Sequence, residues 1–106
     1  MSPIDDSLRL EFTPSFDAWL LKLKDRRAVS RITMRLERLG EGHWGDVKAV
    51  GSGVVELRID YGPGYRLYAT RMGDRVILML AGGDKSTQKR DIATAHALTK
   101  EHHHAA

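Results

Sequence analysis

The sequence predicts an α+β domain: a small, mainly antiparallel sheet with an N-terminal helical hairpin packed on one face, in the order β-α-α-β-β-β-α. Three observations carry this expectation. Between Thr13 and Gly40, two successive stretches repeat apolar residues at spacings of three and four. From Val54 onward the pattern changes to alternation with period two. Glycine-rich turns at 62–64 and 73–74 divide that second region into short strands.

Taken in order, Leu8-Arg9-Leu10-Glu11-Phe12 alternates and reads as a half-buried strand. Thr13 is placed to cap a helix opened by Pro14, which lacks only an N–H that would be unpaired at that position. Phe16, Trp19, Leu20 and Leu23 then share one helical face. Asp25 is placed to cap a second helix, whose apolar residues Val29, Ile32, Leu36 and Leu39 run until Gly40 and Gly42 end it. Its other face gathers Arg27, Arg31, Arg35 and Arg38. That stripe reads either as a solvated face or as a surface steering the protein to RNA.

After Gly51-Ser52-Gly53, residues 54–61 put Val55, Leu57 and Ile59 on one face and Glu56, Arg58 and Asp60 on the other. Gly62-Pro63-Gly64 turns the chain into residues 65–72, where Leu67 and Ala69 oppose Arg66, Tyr68 and Thr70. Following Gly73-Asp74, residues 75–81 are almost continuously apolar, as in a strand covered on both faces or crowded in the centre of a sheet. Gly82-Gly83-Asp84-Lys85 breaks that strand, and Ser86 or Thr87 starts a last helix with a weak apolar face of Ile92, Ala93, Ala95, Ala97 and Leu98. The helices are expected to cover one side of the sheet.

A chain of 106 residues has room for one core, so residues 1–106 read as one domain, with the tail 101–106 disordered. No apolar run approaches the roughly 20 residues that cross a bilayer, and Asp5 and Asp6 interrupt a signal-peptide pattern. A cytoplasmic location without membrane attachment is the expectation. The absence of cysteine excludes a disulfide framework, a thiolate zinc site and a cysteine nucleophile. A net charge of +3 suggests an anionic partner without requiring one.

If Val55, Leu57, Ile59, Leu67 and Ala69 face the helices, then Arg58, Arg66 and Tyr68 share the opposite sheet face. Lys48, in the extended stretch Val47-Lys48-Ala49, and Lys85, in the loop after the last strand, are expected to join them, with Tyr61 or Tyr68 near. Such a set can hold phosphates and stack bases. The same cations could instead form surface salt bridges with Glu56, Asp60 and Asp84, and periodicity leaves both readings open. His43 and His96 read as structural, and His102-His103-His104 as a mobile tail rather than a metal site; no cofactor is implied.

Several stretches carry a family resemblance: Phe16-Asp17-Ala18-Trp19-Leu20, Leu23-Lys24-Asp25-Arg26-Arg27-Ala28, and Gly45-Asp46-Val47-Lys48. The most specific are Glu56-Leu57-Arg58-Ile59-Asp60-Tyr61-Gly62-Pro63-Gly64-Tyr65-Arg66 and Gly82-Gly83-Asp84-Lys85-Ser86-Thr87-Gln88. From Phe16 to Gln88 the chain resembles the HigB-like branch of the RelE/ParE toxins of type II toxin–antitoxin systems. The resemblance implies a RelE-like fold and a toxin that cleaves mRNA, generally on the ribosome. Cleavage would proceed by attack of the RNA's own 2′-hydroxyl, without a metal. It also implies a cognate antitoxin of helix-turn-helix type, through which the complex could bind operator DNA.

By position, Arg66 would stabilise transition-state charge, Lys48 would act as base or phosphate clamp, and Lys85 would act at the C-terminal end of the site. Arg58, Tyr61, Tyr68 and Asp84 would bind substrate. Ribosome-dependent relatives often carry a histidine or tyrosine near the last strand, whereas this chain has neither between Met72 and Ala95. Lys85, Tyr68 and Tyr61 therefore stay open as the acid. Two other readings remain: a ParE-like inhibitor of DNA gyrase without nuclease activity, and a degenerate module that only binds an antitoxin.

Overall fold

The computed structural model describes residues 7–104. The elements are β1 (Arg9–Phe12), α1 (Pro14–Lys22), α2 (Arg26–Gly40), β2 (Val47–Ala49), β3 (Val54–Ile59), β4 (Tyr65–Arg71), β5 (Val76–Asp84), a single 3₁₀ turn (Lys85–Thr87) and α3 (Gln88–His104). The strands form one sheet in the order β1, β5, β4, β3, β2, antiparallel except for the parallel β1–β5 pair at one edge. This is the expected α+β class.

Local chemistry explains the start of each helix. Thr13 Oγ1 accepts the Phe16 N–H at 3.0 Å and donates to the Leu80 carbonyl at 2.6 Å, so one buried hydroxyl caps α1 and pins it to β5. Asp25 Oδ1 accepts the Arg27 and Ala28 N–H groups and caps α2. Those amide bonds, the Ala28 bond above all, lower the Asp25 pKa from its ordinary value of 3.8.

The predicted inner face is observed. Leu57, Ile59, Leu67, Ala69, Ile77 and Met79 pack with Phe16, Ala28, Ile32 and Leu39, and Val55 packs at the margin. The expectation that helices cover only one side is corrected. α3 lies on the other face, where Val54, Tyr68, Leu78, Leu80, Ala81 and Ala95 form a second core cluster with Ile92 and Leu98 against it. Residues 101–104 of the expected tail continue α3, while 105–106 lie outside the described residues.

β5 is longer than its apolar run predicts, because Gly82 and Gly83 belong to the strand rather than breaking it. The register shows how. Ala69 pairs with Met79 but Tyr68 pairs with Ala81, so Leu80 is an extra residue in β5. The extra residue inverts the alternation, turning Gly82 toward α1 and Gly83 toward α3. A Cβ on Gly82 would sit 2.2 Å from the Trp19 ring, and one on Gly83 would sit 1.8 Å from Asp91 Oδ2. Both are glycine because helices rest directly on the strand.

Candidate functional site

The site is built from the register of β2, β3, β4 and β5. Lys48 pairs with Glu56, Glu56 with Tyr68, Arg58 with Arg66, and Arg66 with Gly83. Directly paired residues point to one side of a sheet. Lys48, Arg58 and Arg66 therefore share the sheet face on which α3 lies. Lys85 follows β5 immediately and arrives at the same end. A Cβ on Gly64 would lie 3.3 Å from Arg66 Nη1 and 3.7 Å from Lys85 Cβ, which places both cations against the β3–β4 turn. Gly64 also needs its glycine for a φ of +80°.

At the centre of this group is a residue that sequence pattern assigned to the surface. Glu56 is 1% exposed. Its Oε2 accepts the Tyr68 hydroxyl at 3.0 Å and the Gln88 amide at 2.9 Å, and lies 3.5 Å from Arg66 Nε. Arg66 Nε is itself buried, within ion-pair distance of Glu56 but not aligned as a hydrogen bond. Arg66 Nη1 donates to the Gly64 carbonyl at 3.0 Å. Thus Gln88, the first residue of α3, and the β3–β4 pair meet on one carboxylate oxygen.

This network corrects the placement of Tyr68. Instead of lying on an open face, its ring is fully buried beneath α3 and its hydroxyl is committed to Glu56. Burial and the Glu56 bond raise its pKa far above the ordinary tyrosine value, so it keeps its proton at neutral pH. Tyr61 is brought elsewhere: its hydroxyl donates to Asp25 Oδ2 at 3.1 Å, and Arg31 lies 4.6 Å over its ring. Desolvation, with the bond to Asp25, raises its pKa too. Asp84 caps the 3₁₀ turn that presents Lys85, its Oδ1 accepting from the Ser86 N–H at 2.8 Å. Lys48 and Lys85 are exposed.

Arg58 is half-exposed and ion-paired with Asp46 at 2.8 Å, a contact that raises its pKa. Arg58 thus forms a surface salt bridge, but with Asp46 rather than Glu56, Asp60 or Asp84, whereas Arg66 meets the expected Glu56 in an enclosed setting.

The arginine stripe of α2 is not uniform. Arg35 leaves it and donates to the carbonyls of Trp44, Asp46 and Arg58, stitching α2 to the segment before β2 and to the end of β3. Burial, the largest influence, lowers its pKa from the ordinary arginine value. Gly45, at φ +67°, is required there, since a Cβ would come 3.0 Å from the Arg35 guanidinium. Arg31, Arg35, Arg38 and Arg58 line one cleft of about 380 Å³ with Met34, Ile59 and Asp60. His43 is exposed, and the His96 ring lies 2.9 Å from the Val50 carbonyl, a structural contact.

Sequence reasoning assigned no buried role to Glu56 or Gln88, and it left Arg35 within the basic stripe. The first was visible only as a carboxylate on the polar side of a strand, and the second as the last residue of a loop motif. Neither position reveals burial before α3 is placed.

Comparison with known proteins accords with this architecture. An "uncharacterized protein" of Haemophilus influenzae is 45% identical over 95 residues, covering 90% of this chain and 96% of that protein. Among solved structures, the Escherichia coli toxin RelE, as a double arginine-to-alanine mutant in the free state, superposes with a TM-score of 0.68 at 15% identity, covering 86% of this chain and 95% of RelE. At that identity the likeness concerns the fold, which is RelE-like. The profile of the phage-derived Gp49-like proteins (DUF891) matches residues 18–100, from the middle of α1 to near the end of α3, and the chain belongs to that family.

Proposed function

We propose that this chain is the toxin of a type II toxin–antitoxin pair and that it acts as a metal-independent RNA endonuclease. The observation that carries this reading is Arg66. Its Nε faces Glu56 and its Nη1 is bound to the Gly64 carbonyl, while its Nη2 has no partner among the described residues. A guanidinium fixed on one edge and free on the other suits a phosphate, and Lys85 stands beside it. The RelE-like fold supports the same assignment.

In the proposed reaction the RNA 2′-oxygen attacks the adjacent phosphorus and the bond to the 5′-oxygen breaks, giving a 2′,3′-cyclic phosphate and a 5′-hydroxyl. A base must take the 2′-OH proton, and an acid must protonate the leaving oxygen. Arg66 would stabilise charge on the non-bridging oxygens. Lys48 and Lys85 would either serve as base and acid or clamp the flanking phosphates. Arg58 and the α2 arginines would supply the electrostatic approach for RNA. Because Tyr68 is enclosed and Tyr61 is held by Asp25, Lys85 is the favoured acid of the three candidates. The proposed setting is an mRNA on the ribosome, in the cytoplasm. A helix-turn-helix antitoxin would keep the toxin inactive and carry the complex to operator DNA.

The test compares wild type with Arg66→Ala, following growth, mRNA cleavage during translation, and gyrase supercoiling. Wild type should arrest growth and cut mRNA. Arg66→Ala should lose cleavage by about 100-fold or more while staying folded. Intact mRNA with inhibited supercoiling would replace this reading with the ParE-like one, and neither activity with antitoxin binding retained would leave only a binding module.

A further inference from the structure

A carboxylate enclosed among cations on a surface meant for phosphate is unexpected, because each negative charge there opposes the anion to be bound. Glu56 is 1% exposed and lies in the same cross-strand row as Lys48, one row from Arg58 and Arg66. An unpaired carboxylate would not be tolerated at that depth. Two donors satisfy it, the Tyr68 hydroxyl and the Gln88 amide, and the Arg66 Nε edge makes a third contact at ion-pair distance. Two of these, Tyr68 and Gln88, come from the sheet and from α3, and they hold the carboxylate in place whatever Arg66 does. The third contact is then a fixed reference for the guanidinium.

We infer that Glu56 is a positioning residue for Arg66, orienting its guanidinium so that the Nη2 edge meets a substrate phosphate. The inference rests on the proposed nuclease reading for its consequence, but not for its geometry. The Arg66 side chain is only 13% exposed, so most of it is enclosed and few rotamers are open to it. The Glu56 charge beside Nε and the Gly64 carbonyl bonded to Nη1 hold the guanidinium from two sides and leave Nη2 unengaged. A bidentate or in-plane contact to phosphate depends on that orientation far more than a contact from a lysine would. Glu56 touches no RNA in this scheme and acts through Arg66 alone.

The bland alternative is that Glu56 serves only to dock α3 through Gln88. The two roles separate by substitution. Glu56→Gln conserves volume and keeps an oxygen for Tyr68 and Gln88, but removes the charge facing Nε. Tyr68→Phe and Gln88→Ala each remove one docking bond and leave the Arg66 contact intact. In single-turnover cleavage of a short mRNA on programmed ribosomes by the full-length chain, Glu56→Gln should slow cleavage by about 100-fold, as expected for a displaced catalytic group. RNA affinity should change by less than about 3-fold, since the charge on Arg66 remains. Tyr68→Phe and Gln88→Ala should lower the thermal midpoint yet keep rates within about 3-fold of wild type.

An activity-independent readout is the ¹⁵N-resolved Nε–Hε signal of Arg66, which should be sharp and slow to exchange in wild type and broadened in Glu56→Gln. An unchanged signal in Glu56→Gln would overturn the positioning role, whatever the cleavage data. A broadened signal with undiminished cleavage would overturn its catalytic consequence. Equal loss of cleavage in all three variants would make Glu56 a docking residue only. If wild type cuts no RNA while the signal still depends on Glu56, the nuclease reading falls and the positioning of Arg66 stands.

Discussion

Gly82 and Gly83 are neighbours in sequence with opposite duties, since one lies under the Trp19 ring of α1 and the other under Asp91 of α3. Alanine at Gly82 would force the rigid indole away from the strand and should lower stability by about 1–3 kcal/mol, read as a shift in urea midpoint at unchanged slope. At Asp25 the reasoning concerns protons. Its folded pKa lies below 3.8, so its contribution is present above that pH and is lost as pH falls through the folded value. Asparagine still caps a helix but does not titrate. Urea unfolding between pH 5 and pH 2 should therefore show a shallower acid loss for Asp25→Asn than for wild type, the difference developing around and below 3.8.

Among the elements, α1 is capped and tied to β5 by one residue, Thr13. Thr13→Ala removes both the cap to Phe16 and the bond to the Leu80 carbonyl from a site that is 2% exposed. Thermal denaturation should register a loss of about 1–2 kcal/mol. α1 and α2 were legible in sequence because their signals are strong: Thr13-Pro14 and Asp25 at the starts, and Phe16, Ile32 and Leu39 at helical spacing. α3 was legible as a helix but not as to its side. Its sheet-facing residues are Asp91, Ala95 and Thr99 with Ile92 and Leu98, a mixture that hydropathy does not separate from a solvated face. The sheet positions beneath it are equally mixed, since Glu56, Tyr68 and Thr70 satisfy their polar atoms through specific bonds rather than by meeting water. Alternation identifies which residues share a face; it does not say whether polar ones among them are wet. For that reason the pairing of Arg58 with Arg66 was visible in the hairpin pattern, while the carboxylate between Arg66 and Gln88 was not.

At the scale of the whole molecule, the sheet is a layer between two unequal covers, the α1–α2 hairpin and the single helix α3. Ending the chain at Thr87 would uncover Tyr68, Leu78, Leu80 and Ala81 together and strip Gln88 from Glu56. The truncated chain should bind a hydrophobic dye, lose near-ultraviolet circular dichroism, and associate at micromolar concentration, while a chain with Leu98→Ala should only soften. The candidate site sits where the smaller cover ends, so its cations are presented by the sheet while one of its supports belongs to α3.

Leu80 gives this arrangement an arithmetic character. Between Val76 and Gly83, β5 carries one residue more than the stretch of β4 it pairs with, and Leu80 and Ala81 both stand on the α3 side beside Tyr68. Remove that one residue and Met79 and Ala81 become neighbours opposite Ala69 and Tyr68: the strand regains strict alternation, and Gly82 and Gly83 keep both their partners and their sides. A deletion at Leu80 should therefore be absorbed at the loss of one buried side chain, whereas straightening the strand with Leu80 retained would turn Gly82 and Gly83 to the opposite sides and set Lys85 and α3 against the face that α1 and α2 fill. Changes of length along β5 should therefore be borne at Leu80 before any other position of the strand.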